Sequence, residues 1–198
     1  MQRLILASGS AIRAEMLQNA GVQHDVITSR IDEQAVKSAM LSDNAPACDI
    51  ADVLAEMKAR RVAMKHPDAL VLGADQVLIY DKKLYDKPEN LADARVHLEM
   101  LRAKTHTLLS AAVIFENGAP VWRHIGRAEL TMRNFSNGFL DAYIARQGAD
   151  LLSSVGAYKF EDHGAQLFTK IEGDYFSVLG LPLLEILGFL RIKGICPE

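Results

Sequence analysis

Cysteine is scarce in this chain. The 198 residues hold two, Cys48 and Cys196, far apart and without metal-ligand spacing. That argues against a disulfide framework and points to a reducing cytoplasm as the natural setting. Positive charge is not in excess either: 22 Lys and Arg stand against 25 Asp and Glu, for a net charge of -3. A dedicated nucleic-acid binder must neutralise many phosphates and would need more. A local basic cleft for a small phosphorylated ligand is still compatible with this balance. No apolar run is long enough to span a bilayer. The apolar stretch after Met1-Gln2-Arg3 stops at Ser8, too soon for a secretory signal. The six histidines show no HExxH or paired-ligand spacing, which argues against a histidine zinc site. There is no GxSxG elbow and no complete Walker A motif, and no internal repeat or low-complexity segment. What remains is ordinary globular composition, 49% hydrophobic and 24% charged. It supports a sizeable core, and a single domain over residues 1–198 is expected.

The most informative stretch is the first. Arg3–Ala7 reads as a buried strand, whose apolar run Leu4-Ile5-Leu6-Ala7 breaks into Ser8-Gly9-Ser10. A helical pattern follows over Ser10–Ala20, with Arg13 in its first turn and Gly21 as its stop. Helix N-termini present unpaired N–H groups and a positive dipole end, so this layout suits an anion. Ser8 and Ser10 add hydroxyls, Gly9 allows close approach, and Arg13 adds a forked cation. The plainer reading is a strand–loop–helix entry with Ser10 as N-cap.

Further along, His24–Ser29 reads as a short strand, Lys37–Pro46 as a mobile connection, and Asp49–His66 as a long helix ended by Pro67. Ala69–Tyr80 is the most strand-like run. Leu91–Leu101 is a helix, and Thr105–Glu116 and Val121–Arg133 are strands joined by the hairpin signal Asn117-Gly118. Ser136–Arg146 reads as a helix, Val155–Tyr158 and Ala165–Ile171 as short strands, and Leu181–Ile192 as a closing helix with Pro182 in its first turn. Alternating strands and helices around one antiparallel hairpin imply α/β architecture with a mixed sheet.

Asp75 is the sharpest single residue. It lies mid-strand in Gly73-Ala74-Asp75-Gln76-Val77, where an ionised carboxylate is costly unless paired or metal-bound. A salt-bridge partner is one reading; a catalytic base or metal ligand is the favoured one. Lys87-Pro88 follows, with proline fixing the backbone beside the lysine. Lys58, beside Arg60 and Arg61, reads on pattern alone as part of a solvated helix face. Asp32-Glu33 suits either a metal or a helix cap. Gly156–Glu161 and Gly173–Leu183 are small-residue loops, either of which suits a ligand or a tight turn. Trp122, Arg123 and His124 share a strand, and their facing stays open. Together, a phosphate-friendly N-terminus, a buried carboxylate and several lysines suit metal-assisted attack of water on a phosphoanhydride.

In this order the motifs resemble the Maf family of nucleoside triphosphate pyrophosphatases over essentially the whole chain. Leu4–Leu17 is similar to the family's Leu-Ala-Ser-x-Ser-Pro-Arg-Arg opening, with Ala11 for proline, Ile12 for the first arginine and Arg13 as the second. Ile31-Asp32-Glu33, Ala55–Ala59 around Lys58, Gly73–Val77, Lys87-Pro88, Gly156-Ala157-Tyr158 and Gly180-Leu181-Pro182-Leu183 match the later motifs. The resemblance implies an elongated, twisted mixed β-sheet flanked by helices, with two lobes around a cleft. It implies hydrolysis of a nucleoside triphosphate to monophosphate and diphosphate with Mg2+ or Mn2+, and a possible homodimer. Asp75 is the expected catalytic residue. Ser8, Ser10, Arg13, Lys58, Gln76, Lys87 and Glu161 are the expected substrate contacts, and Glu33 with Asp75 the expected metal ligands. Family members include house-cleaning enzymes that remove noncanonical nucleotides.

Three positions depart from the branch that acts on dTTP and UTP, which has arginine at Ile12, threonine at Gln76 and glutamine at Glu161. Gln76 and Glu161 resemble the branch that hydrolyses 7-methyl-GTP; Ile12 is apolar like that branch's residue, though not aromatic. A carboxylate at Glu161 suits a guanine edge with adjacent donors, or a methylated, positively charged guanine, better than a uracil edge. The alternatives are the dTTP/UTP branch and a nucleotide-binding regulator of cell division with little catalysis.

Overall fold

In the computed structural model, which describes residues 2–197, strand β1 (Leu4–Leu6) is wholly buried. It lies parallel to the two-residue strand β2 (Asp25–Val26) on one side and to β3 (Leu70–Tyr80) on the other. The short β4 (Lys83–Tyr85) folds back on the end of β3. β5 (Thr105–Glu116), β6 (Ala119–Met132) and β7 (Phe168–Glu172) continue antiparallel beyond β3. The result is a mixed seven-stranded sheet ordered β2-β1-β3-β5-β6-β7, with β4 beside β3. Two hairpins turn through successive residues of positive φ, Asp81-Lys82 and Asn117-Gly118. That sense matches the right-handed twist of the flanking strands.

Alternation along the strands assigns the two faces. Leu4, Leu6, Leu70, Leu72 and Ala74 pack under α1 (Ala11–Asn19) and α7 (Leu183–Ile192). Ile5, Ala7, Val71 and Val77 face α3 (Ala47–Ala63), whose inner side is Ala51, Ala55, Ala59 and Ala63. Those small side chains let the helix ride close to the sheet. The closest approach is at Gly73, where a Cβ would lie 2.2 Å from the Ala55 carbonyl oxygen and 2.6 Å from the Ala59 nitrogen. A third core, with Leu98, Leu108, Leu130 and Phe135 at its centre, joins the far halves of β5 and β6 to α4 (Leu91–Leu101) and α5 (Asn137–Gln147). The cleft lies between this second lobe and the first.

Several expectations change on contact with the structure. The segment read as a mobile connection from Lys37 is α2 (Glu33–Ser42), capped by Asp32, whose side chain accepts from the Ala35 N–H. It has no fully buried residue; its short apolar side, built on Val36 and Met40, is only partly covered. Val155–Tyr158 is not a strand: Val155–Ala157 form a tight turn in which Gly156 (φ 80°) and Ala157 (φ 58°) are left-handed, a conformation no strand accommodates. The last strand begins at Phe168, after a 3-10 turn (His163–Leu167). The strand expected over His24–Ser29 shrinks to Asp25–Val26. Ser10 holds the N-cap position but makes no side-chain cap bond. Trp122 stacks on Phe189 of α7, and Arg123 pairs with Asp52 and Glu56 of α3, so both serve packing. Among the described residues no helix is long and apolar enough to cross a membrane.

Candidate active site

The close packing at Gly73 builds the centre of the site. Gly73 and Asp75 are two residues apart on β3 and share a face. Lys58 stands one helical position before Ala59, over that face. Its Nζ donates to Asp75 Oδ1 at 2.7 Å and lies 2.9 Å from Glu33 Oε1. The lysine expected on a solvated face is therefore 7% exposed, and Asp75 is 5% exposed. One amine bridges two carboxylates, from α2 and from β3. Burial of the Lys58 and Asp75 charges is tolerated because they pair with each other, while the Glu33 side chain, 43% exposed, joins them from the cleft side. Asp75 Oδ2 is the exception: it is buried and has no hydrogen-bond partner among the described residues.

Around this centre runs a cleft of about 750 Å³. Ser8, Ser10, Arg13, Glu33, Lys58, Asp75, Gln76, Lys87 and Glu161, all nine of the residues singled out from sequence, line it. The β1–α1 loop supplies one wall. There the Ser10 N–H and Arg13 Nη1 both reach Ser8 Oγ, at 3.2 Å each. Arg13 is also tied down at 3.0 Å to the Ala74 carbonyl and, through Nε, at 2.8 Å to the Gly180 carbonyl. Gly180 has φ 101°, a conformation that favours glycine. Arg13 thus clamps the first loop, the central strand and the α7 approach together. Burial lowers its pKa from the ordinary arginine value, yet arginine stays charged far above neutrality. Lys87 has its pKa lowered by desolvation and then by the positive charge of Arg13. These two cations repel one another at the same cleft, which is what an anionic ligand would relieve.

Gln76 points the other way from β3. Its Nε2 lies 3.0 Å from Ser110 Oγ, 3.1 Å from the Ser177 carbonyl and 3.0 Å from the Val178 carbonyl. These acceptors fix the amide orientation and leave Oε1 without a partner among the described residues. Gln76 and Glu161, with Ile12, Tyr158 and Phe160, line a small cavity of about 40 Å³. It adjoins the cleft, sharing Ile12, Gln76, Glu161 and Leu179 with it. No ion pair involves Glu161 among the described residues.

Two cleft lysines, each with an acidic partner that also lines the cleft, went unassigned in the sequence. Lys37 pairs with Asp86 across the cleft mouth, and Lys159 lies 3.8 Å from Asp150. Lys37 was obscured by the missed helix: on α2 it is four residues from Glu33, so both present to the same side.

The oxygens present suit a hard divalent cation only in part. No group of three His, Cys, Asp or Glu is gathered among the described residues. Mg2+ is, however, commonly held by one or two carboxylates, with phosphate oxygens and waters completing its shell. Asp75 Oδ2, buried and unpartnered, and the Glu33 carboxylate fit that pattern.

Sequence comparisons agree with this construction. The family described as Maf-like protein matches residues 3–192. A "Nucleoside triphosphate pyrophosphatase" of Ruegeria pomeroyi is 52% identical over 192 residues, covering 97% of this chain and 96% of its own. One of Roseobacter denitrificans is 54% identical over 197 residues, covering 100% and 99%. One of Caulobacter vibrioides is 49% identical over 189 residues, covering 96% and 94%. With the profile match spanning nearly every residue and the relatives aligned end to end, this chain belongs to the Maf family.

Proposed function

We propose that this protein hydrolyses a nucleoside triphosphate to the monophosphate and diphosphate, and that its preferred base is a modified purine of the 7-methylguanine kind. The observation that carries the reaction is the partnerless, buried Asp75 Oδ2 beside Lys58 in a cation-lined cleft. In this reading Asp75 orients a water and takes its proton as the water oxygen bonds to the α-phosphorus. The bond from that phosphorus to the bridging oxygen breaks, and the electron pair leaves with diphosphate. Arg13, Lys58 and Lys87, with Ser8 and Ser10, hold the phosphates and offset the charge that builds on the leaving group. Glu33 and Asp75 would hold Mg2+ or Mn2+, which polarises phosphoryl oxygens and neutralises their charge. Lys58 keeps the two carboxylates aligned when they bind.

The base preference rests on the acceptors at the small cavity. Gln76 Oε1 and the Glu161 carboxylate both accept. A guanine edge offers N1–H and the 2-amino group, and a 7-methylguanine adds positive charge that a carboxylate favours. Uracil and thymine offer one N–H between two carbonyls. The test is diphosphate release from 7-methyl-GTP, GTP, ITP, UTP, dTTP and CTP with Mg2+ or Mn2+, in wild type and Asp75→Asn. Metal-dependent release that falls at least a hundredfold in Asp75→Asn supports the reaction. A clear lead for 7-methyl-GTP supports the base reading, and equal rates across the panel would sink it. Nucleotide binding without any release would turn the reading toward a regulator.

A further inference from the structure

His106 is buried at 2% exposure on β5, away from the phosphate end of the cleft. Its Nε2 shares a hydrogen bond of 2.7 Å with the Tyr158 hydroxyl, while its Nδ1 is buried without a partner among the described residues. Whichever nitrogen carries the proton, one polar atom is left unpaired, a condition that destabilises the fold. An apolar ring would fill the place without that cost, so the hydrogen bond to Tyr158 is the feature to explain.

Tyr158 ends a strained turn. Gly156 and Ala157 are both left-handed, at φ 80° and 58°, and Ala157 carries a Cβ that opposes this conformation. Gly156 is also crowded: a Cβ there would lie 2.6 Å from Tyr158 Cε1 and 2.7 Å from Leu78 Cδ1. The tyrosine ring therefore folds back over its own turn. It is held there by His106 and by an edge-on contact with Phe168, centroids 4.9 Å apart at 76°. The chain leaving this turn carries Phe160 and Glu161, and Tyr158, Phe160 and Glu161 all line the small cavity beside Gln76.

We propose that His106 is a positioning residue for base recognition: through Tyr158 it holds the strained Gly156-Ala157 turn and so sets the cavity wall that carries Glu161. This rests on the reading that the base docks where the small cavity opens into the cleft, against Gln76 and Glu161. His106 touches neither substrate nor phosphate-binding residues; it acts on the nucleotide only through Tyr158. Burial keeps its imidazole neutral, which suits a fixed hydrogen bond to a neutral phenol.

The test compares kcat, KM and melting temperature for the wild type, His106→Phe, Tyr158→Phe, the double variant and Glu161→Gln. The substrates are the best and the poorest nucleotides of the panel above. Tyr158→Phe keeps the ring and removes only the hydroxyl, so it guards against a fold that does not tolerate His106→Phe. Each single variant is expected to raise KM for the best nucleotide by roughly fivefold, the value of one hydrogen bond. Each also narrows the preference over the poorest, and His106→Phe holds kcat within about twofold. The double variant should be no worse than either single, because both remove the same bond. Unchanged KM and preference in both singles would overturn the proposal. So would a lower melting temperature and kcat at unchanged KM, the mark of a merely structural role. In either failure, a preference shift in Glu161→Gln leaves the base-pocket reading standing, and no shift there removes that reading too.

Discussion

Replacing Gly73 with alanine should disable the site from behind, without touching any residue that faces the ligand. The added Cβ would lie 2.2 Å from the Ala55 carbonyl oxygen, 2.6 Å from the Ala59 nitrogen and 2.9 Å from the Ala59 Cβ. Ordinary contact begins near 3.4 Å, so α3 must withdraw by about 1 Å or the strand must buckle. Such overpacking costs about 1–3 kcal/mol, which for a chain of this size lowers the melting temperature by roughly 3–10 °C. The consequence for activity is larger. Lys58 rides on the same helical turn, and its Nζ is 2.7 Å from Asp75 Oδ1. A withdrawal of about 1 Å carries that contact past hydrogen-bond range, and misplacement on this scale costs about a hundredfold in rate. Diphosphate release and thermal melting of Gly73→Ala, measured together, check both figures. Adding Ala59→Gly should rescue neither, because the nearest clash is with backbone. A Gly73→Ala enzyme with kcat within threefold of wild type would refute the argument that α3 packing places Lys58.

Three further outcomes follow from the same geometry. Glu161→Gln should shift relative kcat/KM toward UTP by about tenfold, the value of one well-placed hydrogen bond to a charged group; a panel assay reads it, and an unchanged ranking counts against Glu161 as a base contact. Stripping divalent cations with a chelator should abolish diphosphate release, and adding back Mg2+ or Mn2+ should restore it; full activity in excess chelator would remove Glu33 and Asp75 as metal ligands. Stability should fall as pH drops. Burial lowers His106 from 6.5 to about 4, so between those values the unfolded chain binds a proton that the native chain refuses. That linkage makes stability rise with pH across the window and is worth about 3 kcal/mol over its full span. Chemical denaturation at pH 7 and pH 4.5 measures it. His106→Phe should flatten that part of the profile, and an unaltered slope in the variant would assign the effect to other groups.

The sequence was readable wherever local chemistry agreed with the final environment. Asp75 stood out because a carboxylate sits badly in an apolar strand, and Leu91–Leu101 is the helix expected there, its start capped by the Asn90 side chain, which accepts from the Asp93 N–H. Lys58 was misread for a physical reason. Its charge suggested solvent, although helical spacing from Ile50, Leu54 and Val62 places it on the buried side; only the carboxylates of Glu33 and Asp75, from residues distant in sequence, make its burial tolerable. α2 was missed because its apolar side is short, built on Val36 and Met40, and neither is fully buried; its Asp32 cap and ion pairs help to hold it. The Val155–Tyr158 turn looked like a strand because its composition is apolar, and the left-handed Ala157 that breaks it is chosen by the surroundings of Tyr158. These misses share a cause. In each, charge pairing or strain imposed by distant residues overrides local preference, and each lies in or beside the cleft. Glu33, Lys58 and Tyr158 are held by contacts that an unfolded segment cannot anticipate. Holding charges and a strained turn ready for a ligand requires such tertiary support, so local sequence rules fail most often where the proposed chemistry is set up.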